Sequence, residues 1–544
     1  MITNTLPQIF IGRNEVLDLL NKRVESLESG YRQNIALTGQ KLCGKTSILQ
    51  RFLSDLKSSS IVPVYIEVLA EPLELFSKKF IGTMLFNFLK GTDIETKEDL
   101  HFLISKAEGL IPRTTASIRD VLRLLEKGDN QEAYSRLFNL TSTLKEETRK
   151  SCIIILDEFH NLSFLNLKNP FAIFGSKIMV QKDTMYVVTS SQVSTIRKIL
   201  KERLDLLFGN FEIIEIKGFD YEISKSFLEK RLEIIKAQEG LKDFLISFTD
   251  GRPFYIDIIS SELNNIAALL QFKWLGPAHI AQALENLMFD SKGIINQYFQ
   301  NLIATLSQSP HINEYLDILS VIAGDNKRLS QIRGCFNGKK SELPLRIEKL
   351  VEENFIAKNG FIYYFEDRVF EFWLRHVYNK KRYSLLSNFQ DRENLFKKEV
   401  EDFISSFISE TRKGPALRIK ELAEAFNNEV LKIGEKNVKF PKFNSVKVAY
   451  ALTNESEFIV TGNYQPKKTW LLKYSPTHID EMKMAGFVEN LARTGKDTYR
   501  KILIAPSGID ANAMLIAKEN KIWVWEKDNL NLLLSIYGKL KILN

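Results

Sequence analysis

A chain of 544 residues is too long for one hydrophobic core and, at roughly 100–200 residues per domain, predicts about three or four domains. With 44% hydrophobic and 26% charged residues it is not a disordered or low-complexity chain, and no apolar run approaches the roughly 20 residues that a bilayer span requires. Lys and Arg outnumber Asp and Glu by 75 to 67, a net charge of +8 that admits a polyanionic partner without demanding one. Cys43, Cys152 and Cys335 lie far apart and lack disulfide or zinc-site spacing; with no signal-like N-terminus, a reducing, cytoplasmic setting is expected.

Asn34 to Thr38 reads as a short apolar strand, and Thr46 to Leu56 carries apolar residues at helical spacing. Between them, Gly39-Gln40-Lys41-Leu42-Cys43-Gly44-Lys45-Thr46 fits the pattern G-x-x-x-x-G-K-[ST]. Such a loop turns backbone N–H groups inward at a helix N-terminus, where phosphate oxygens are favoured. Gly39 through Thr46 are therefore expected to hold ATP or ADP with Mg²⁺. Lys45 is expected to reach the β/γ-phosphates and Thr46 to ligate the metal, with Ser47 in the first helical turn.

Val62 to Val68, Ser151 to Leu156 and Thr184 to Thr189 read as further buried strands separated by helical segments, with a last strand near Phe211 to Ile216, predicting a doubly wound parallel sheet. The stretch from Pro72 to Lys150 is longer than a crossover helix needs and reads as a helical insertion. The third strand ends in Asp157-Glu158, so Asp157 is the candidate Mg²⁺ ligand and Glu158 the candidate general base. In Thr189-Ser190-Ser191, the Ser190 hydroxyl is a candidate to bond the γ-phosphate or the attacking water; a plain turn former is the alternative.

From Tyr221 to about Leu306 the chain reads as helical, suiting a lid beside the nucleotide. Glu314 to Ala323, Leu329 to Cys335 and Ser341 to Asn354 read as three helices, followed by a hairpin about Asn359-Gly360; this predicts a winged helix. Lys339, Lys340, Arg346 and Lys349, with Lys358 on the wing, are its candidate DNA contacts, protein docking being the alternative use of the fold. After a helix from Leu395, strand-like runs near Lys447 to Ala451, Glu457 to Val460, Thr469 to Tyr474 and Lys501 to Ile504 predict a separate α/β domain. The expected divisions are 1–220, 221–306, 307–385 and 386–544.

These motifs resemble the prokaryotic, largely archaeal P-loop ATPases related to the AAA+ and STAND groups, which carry a winged helix and often a nuclease-like C-terminal domain. Phe10-Ile11-Gly12-Arg13-Asn14-Glu15 is similar to that family's N-terminal box, Leu156-Asp157-Glu158-Phe159 to its Walker B ending, and Gly251-Arg252-Pro253-Phe254-Tyr255 to its G-x-P motif. Asp367-Arg368-Val369-Phe370-Glu371-Phe372-Trp373 is similar to its D-P-x-F-x-F-W, with Arg368 in place of proline. The resemblance implies nucleotide contacts for Gly12, Arg13, Arg252 and Pro253. Where the family often has Gly-Arg, this chain reads Phe208-Gly209-Asn210-Phe211, so an arginine finger would fall to Arg197 or Arg203, unless both are simply solvated.

The last domain looks like a PD-(D/E)XK, restriction-endonuclease-like fold with Glu457 as its first acid. The expected E-x-K reads Leu471-Leu472-Lys473, and leucine cannot ligate Mg²⁺. The resemblance thus implies an ATP-driven switch of slow turnover acting on DNA or a protein partner, with no membrane role and with oligomerisation open. A nucleotide-holding scaffold and an ATP-gated nuclease are the alternatives.

Overall fold

The computed structural model describes residues 10–92, 94–203, 211–383, 385, 388–434, 436–450, 457–465, 468–494 and 498–542. The chain divides into two units, Met1–Phe219 with Arg252–Tyr255, and Asp220–Gly251 with Ile256–Asn544. Arg252 and Pro253, assigned from sequence to the helical segment 221–306, thus group with the first unit.

The first unit is built on five parallel strands: β1 (Asn34–Thr38), β2 (Ile61–Glu67), β3 (Ser151–Asp157), β4 (Thr184–Ser190) and β5 (Phe211–Glu215), in the order β2-β3-β4-β1-β5. Strands buried on both faces must be apolar at nearly every position, and β1, β3 and β4 are buried throughout. Pro63, which has no N–H to give a ladder, lies on edge strand β2.

Alternation along each strand divides the core into two layers. Ile35, Leu37, Ile153, Ile155, Met185 and Val187 pack against Leu20, Val24, Ile48 and Phe52 from α1 (Asn14–Glu28) and α2 (Lys45–Asp55). Ile154, Leu156, Tyr186 and Val188 pack on the other face against the helical insertion. That insertion comprises α3 (Leu73–Lys90), α4 (Leu100–Glu108), α5 (Pro112–Glu126) and α6 (Asn130–Thr148). Asp99 and Asp129 cap α4 and α6 by accepting from the N–H groups of Phe102 and Glu132.

In the second unit, helices Tyr221–Arg231, Glu239–Thr249, Pro277–Leu284 and Ile294–Ala304 lead to three more, Ile312–Ala323, Leu329–Cys335 and Leu343–Glu352. The last is shorter than the predicted Ser341 to Asn354: Pro344 sits in its first turn, and Asn354 turns left-handed at φ 59°. Strands β6 (Ala357–Asn359) and β7 (Ile362–Tyr364) then form the predicted hairpin, turning at Gly360 with φ 60°.

Helices Phe389–Thr411 and Pro415–Glu424 precede a hairpin of β8 (Glu429–Ile433) and β9 (Lys436–Phe440). Five strands follow: β10 (Ser445–Tyr450), β11 (Phe458–Gln465), β12 (Lys468–Tyr474), β13 (Thr498–Ala505) and β14 (Ile522–Glu526). They lie in sequence order, antiparallel through β12 and parallel from β12 to β14, the parallel steps being made through helices Glu481–Thr494 and Ala511–Glu519. Strands β8, β9 and β14 are additions to the sequence reading, and the predicted end of β10 at Ala451 lies outside the described residues.

Candidate nucleotide site

The loop from Gly39 to Gly44 leaves the buried end of β1 and enters α2. Gly39 is required by close approach: a Cβ there would sit 2.1 Å from the carbonyl oxygen of Ile216, just beyond β5. Leu42 and Gly44 are left-handed, with φ of 68° and 89°. At Gly44 that conformation suits glycine, and the nearest neighbour of an added Cβ would be the Pro253 ring at 3.8 Å. Cys43 turns into the core beneath the loop, Lys41 is exposed, and Gln40 and Ser47 are half-buried.

Lys45 is 5% exposed and curls back over the loop, its ammonium donating to the carbonyls of Gly39 (2.8 Å) and Gln40 (3.0 Å). Burial holds its pKa below the ordinary lysine range, opposed first by the carboxylate of Glu158.

Asp157 ends β3 as the most heavily hydrogen-bonded carboxylate of the site. Thr46 Oγ1 and Tyr65 Oη each donate to its Oδ2 at 2.8 Å. Its Oδ1 accepts from the Thr189 hydroxyl and from the Glu158 backbone N–H at 3.1 Å. Tyr65, missed from sequence, reaches Asp157 because β2 and β3 are paired neighbours; burial and this carboxylate push its phenol pKa upward. Glu67, in register with Asp157, also titrates above its ordinary range, first from burial and then from Asp157.

Glu158 adopts a left-handed conformation with φ 53°, which turns its side chain toward the end of β4. There its Oε2 accepts from the Ser191 backbone N–H (2.8 Å) and hydroxyl (2.9 Å), with His160 Nδ1 at 3.4 Å. Ser190 differs from its predicted role. Its side chain is fully buried, and its hydroxyl shares a 3.0 Å hydrogen bond with His160 and accepts from the Gln192 N–H. Strand alternation is the reason: Thr189 and Ser191 face the two acids, and the residue between them faces away. A Thr-Ser-Ser triplet marks the strand end in the sequence but does not reveal which hydroxyl points where.

Gly12 and Arg13 are both left-handed, with φ of 68° and 65°. The Arg13 guanidinium donates to the backbone carbonyls of Lys217 and, at 3.5 Å, Cys43, and lies 4.9 Å from the centre of the Phe219 ring. It therefore ties the loop to the exit of β5 rather than presenting a free fork to phosphate. Arg252, 4% exposed, donates to the Gln40 side-chain carbonyl and, at 3.5 Å, to the Lys41 carbonyl, placing it and Pro253 against the loop.

Other sequence candidates fall elsewhere. Arg197 is exposed and pairs with Glu215 at 3.3 Å; 208–210 and the side chain of Arg203 lie outside the described residues. In the second unit, Arg346 is forked between Glu314 (2.7 Å) and Glu342 (2.6 Å) with only 12% of its side chain exposed, so the prediction that it meets DNA is replaced by a packing role. Lys349 pairs with Glu353 at 2.7 Å, and Lys339 lies 3.9 Å from Glu342. Lys340 is exposed, and Lys358 lies 5.9 Å from the Tyr363 ring centre. Lys473 pairs with Glu457 at 3.2 Å, and Ser475 donates to the same acid at 3.0 Å. Leu471 is buried among Ile479, Met484 and Phe487. Among the described residues no three His, Cys, Asp or Glu side chains cluster as metal ligands, and no helix is long and apolar enough to cross a membrane.

Residues 10–259 match the sequence model of an ATPase domain found predominantly in Archaea. An uncharacterized protein of Methanocaldococcus jannaschii is 21% identical over 396 residues, 68% of this chain and 69% of its own. Among solved structures, a Walker-type ATPase of Pyrococcus abyssi aligns at 19% identity over 67% of this chain and 96% of that one, with a TM-score of 0.47. The ORC2 protein of Aeropyrum pernix, solved in ADPNP and ADP complexes, aligns at 13% identity over 74% and 97%, with a TM-score of 0.45. The site residues from Arg13 to Arg252 all fall inside the segment that is similar to the archaeal-type ATPase domain.

Proposed function

We propose that this chain binds ATP with Mg²⁺ at Gly39 to Thr46 and hydrolyses it slowly, as a conformational switch. The observation that carries the reading is the convergence of Lys45, Thr46, Asp157 and Glu158 at neighbouring ends of β1, β3 and β4. The residues fit the ligand. Gly39 and Gly44 allow the loop its close approach to Ile216 and its left-handed turn into α2, and the hydroxyl of Thr46 beside the carboxylate of Asp157 is a hard oxygen pair suited to Mg²⁺. Bound there, the metal would neutralise charge on the transferring phosphoryl group.

The chain's own residues do the rest. Lys45 exchanges two carbonyl acceptors for phosphate oxygens, which relieves its buried charge. Asp157 is held in place by Tyr65 and Thr189. Glu158 takes the proton of the attacking water once its carboxylate leaves Ser191. Arg13, Arg252 and Pro253 support the loop from either end.

The hold of Ser191 on Glu158 favours slow turnover and supports a second reading, a scaffold that retains nucleotide without turning it over. Phosphate release by wild type, Lys45→Ala and Glu158→Gln, with and without duplex DNA, tests the proposal. Turnover lost in both variants is expected; no turnover in wild type under any condition, with nucleotide retained through purification, would leave the scaffold.

The helices at 312–352 with their hairpin serve, in this proposal, as a winged helix that meets DNA through Lys339, Lys340 and Lys358. The β10–β14 sheet is taken as nuclease-like but non-cleaving. Support comes from Leu471, which packs apolar where the second acid would stand, and from Glu457, already paired with Lys473. Metal-dependent cutting of linear DNA, lost in Glu457→Ala, would overturn that part and restore the ATP-gated nuclease.

A further inference from the structure

A cavity of about 240 Å³ in the second unit is lined by none of the residues just described. Its walls come from three segments: Phe289 to Gln300, His376 to Lys381, and the helix Phe389–Thr411. Phe289, Phe389 and Phe396 supply an aromatic side, with Phe289 centred 5.5 Å from Phe389 and 5.3 Å from Phe396. Phe389 is 54% exposed and Leu395 38%, so apolar surface lies open at the rim.

The opposite character is charge. Glu399, the lining carboxylate, shares a hydrogen bond with His376 Nδ1 and pairs with the Lys380 ammonium, each at 2.8 Å. Lys381 has no acidic partner among the described residues. Arg392 lies 5.9 Å from the Phe389 ring centre, and its Nε is shut off from solvent without a hydrogen-bond acceptor. An aromatic wall beside two lining cations, Lys381 and Arg392, that pair with no acid among the described residues suits a planar molecule that ends in an anion. The volume is below that of pockets for drug-sized ligands, roughly 300–1,000 Å³, which limits the occupant to one or two rings.

We infer that this cavity is a binding site for a small aromatic anion, its ring stacked among Phe289, Phe389 and Phe396 and its carboxylate or phosphate held by Arg392 and Lys381. Such a ligand would bridge three segments of the unit, a place suited to an effector.

The test is calorimetric titration of the full chain with 2-naphthoate, 2-naphthyl phosphate and the uncharged 2-naphthamide. One equivalent of an anion is expected to bind, with about tenfold weaker affinity in Arg392→Gln and again in Lys381→Gln, and the amide weaker than either anion throughout. Carboxylate and phosphate are separated by which of the two binds more tightly. Lys381 is exposed, so its variant keeps the test valid should Arg392→Gln fold poorly. Equal affinities in wild type and Lys381→Gln, no binding of either anion, or an amide that binds as well as the acid would overturn the inference.

Discussion

Glu158 is held by Ser191 through two hydrogen bonds to a single carboxylate oxygen, one from the backbone and one from the hydroxyl. Only the second can be removed by mutation. Ser191→Ala is therefore expected to raise ATP turnover several-fold, up to about tenfold, because hydrogen bonds to charged groups are worth about 1.5–3 kcal/mol and half the hold remains. Glu158→Gln is expected to lower turnover by about 10²–10⁴ while leaving nucleotide affinity near wild type. Steady-state phosphate release beside equilibrium nucleotide binding checks both; a slower Ser191→Ala enzyme would contradict the latch.

Gly39 tests the close approach of β1 and β5. An added methyl would lie 2.1 Å from a backbone oxygen, which no side-chain rotation relieves. Gly39→Ala is expected to destabilise the chain by about 3 kcal/mol or more and to abolish nucleotide binding. Denaturant unfolding measures it, with Gly30→Ala as the comparison. Gly30 has open space around it but a φ of 87°, so only the cost of a left-handed alanine is expected, roughly 1–2 kcal/mol.

Tyr65→Phe removes one of four donors to Asp157 while keeping the ring. A loss of about 1.5–3 kcal/mol of stability is expected, carried by a neutral-to-charged hydrogen bond in a buried setting. Thermal unfolding without nucleotide reads it.

His376 gives a pH prediction. Burial is the largest cause holding its pKa below the ordinary 6.5, aided by Arg375 and Lys380 and opposed by Glu399. A folded-state pKa below the unfolded one means that the unfolded chain binds more protons in the window between them, so stability rises with pH up to 6.5 and is lost on acidification below it. His376→Gln is expected to flatten that part of the stability profile; an unchanged slope between the two chains would refute the assignment.

For DNA, Lys340→Glu and Lys358→Glu are each expected to weaken duplex binding and to reduce the slope of log affinity against log salt by about 0.9 for each phosphate that is no longer neutralised. Arg346→Ala should instead lower stability, since its partners are Glu314 and Glu342. Filter binding across salt concentrations, set beside thermal melts, separates the two kinds of effect.

What was legible from sequence follows from physics. Strands β1, β3 and β4 announce themselves because burial on both faces leaves continuous apolar runs, and the Gly39 to Thr46 loop because phosphate binding dictates its residue types. The partners of those residues are set by the order of strands in the sheet, which no local pattern encodes. Tyr65 meets Asp157 across a strand pair, and Ser191 meets Glu158 from the next strand. Arg346 illustrates the same limit on a helix: its spacing marks a basic surface, but the two acids that claim it are fixed by packing. The hairpin of β8 and β9 carries the period-two burial expected of a half-exposed pair, but a buried Glu429 beside an exposed Val430 inverts the polarity pattern at its start.

Three successive residues of one strand end, Thr189, Ser190 and Ser191, each grip a different member of the stretch Asp157 to His160. The consequence is evolutionary. These positions constitute a single heritable character spread over two segments, so among descendants of a common ancestor a change at His160 should be accompanied by one at Ser190, and a change at Glu158 by one at Ser191.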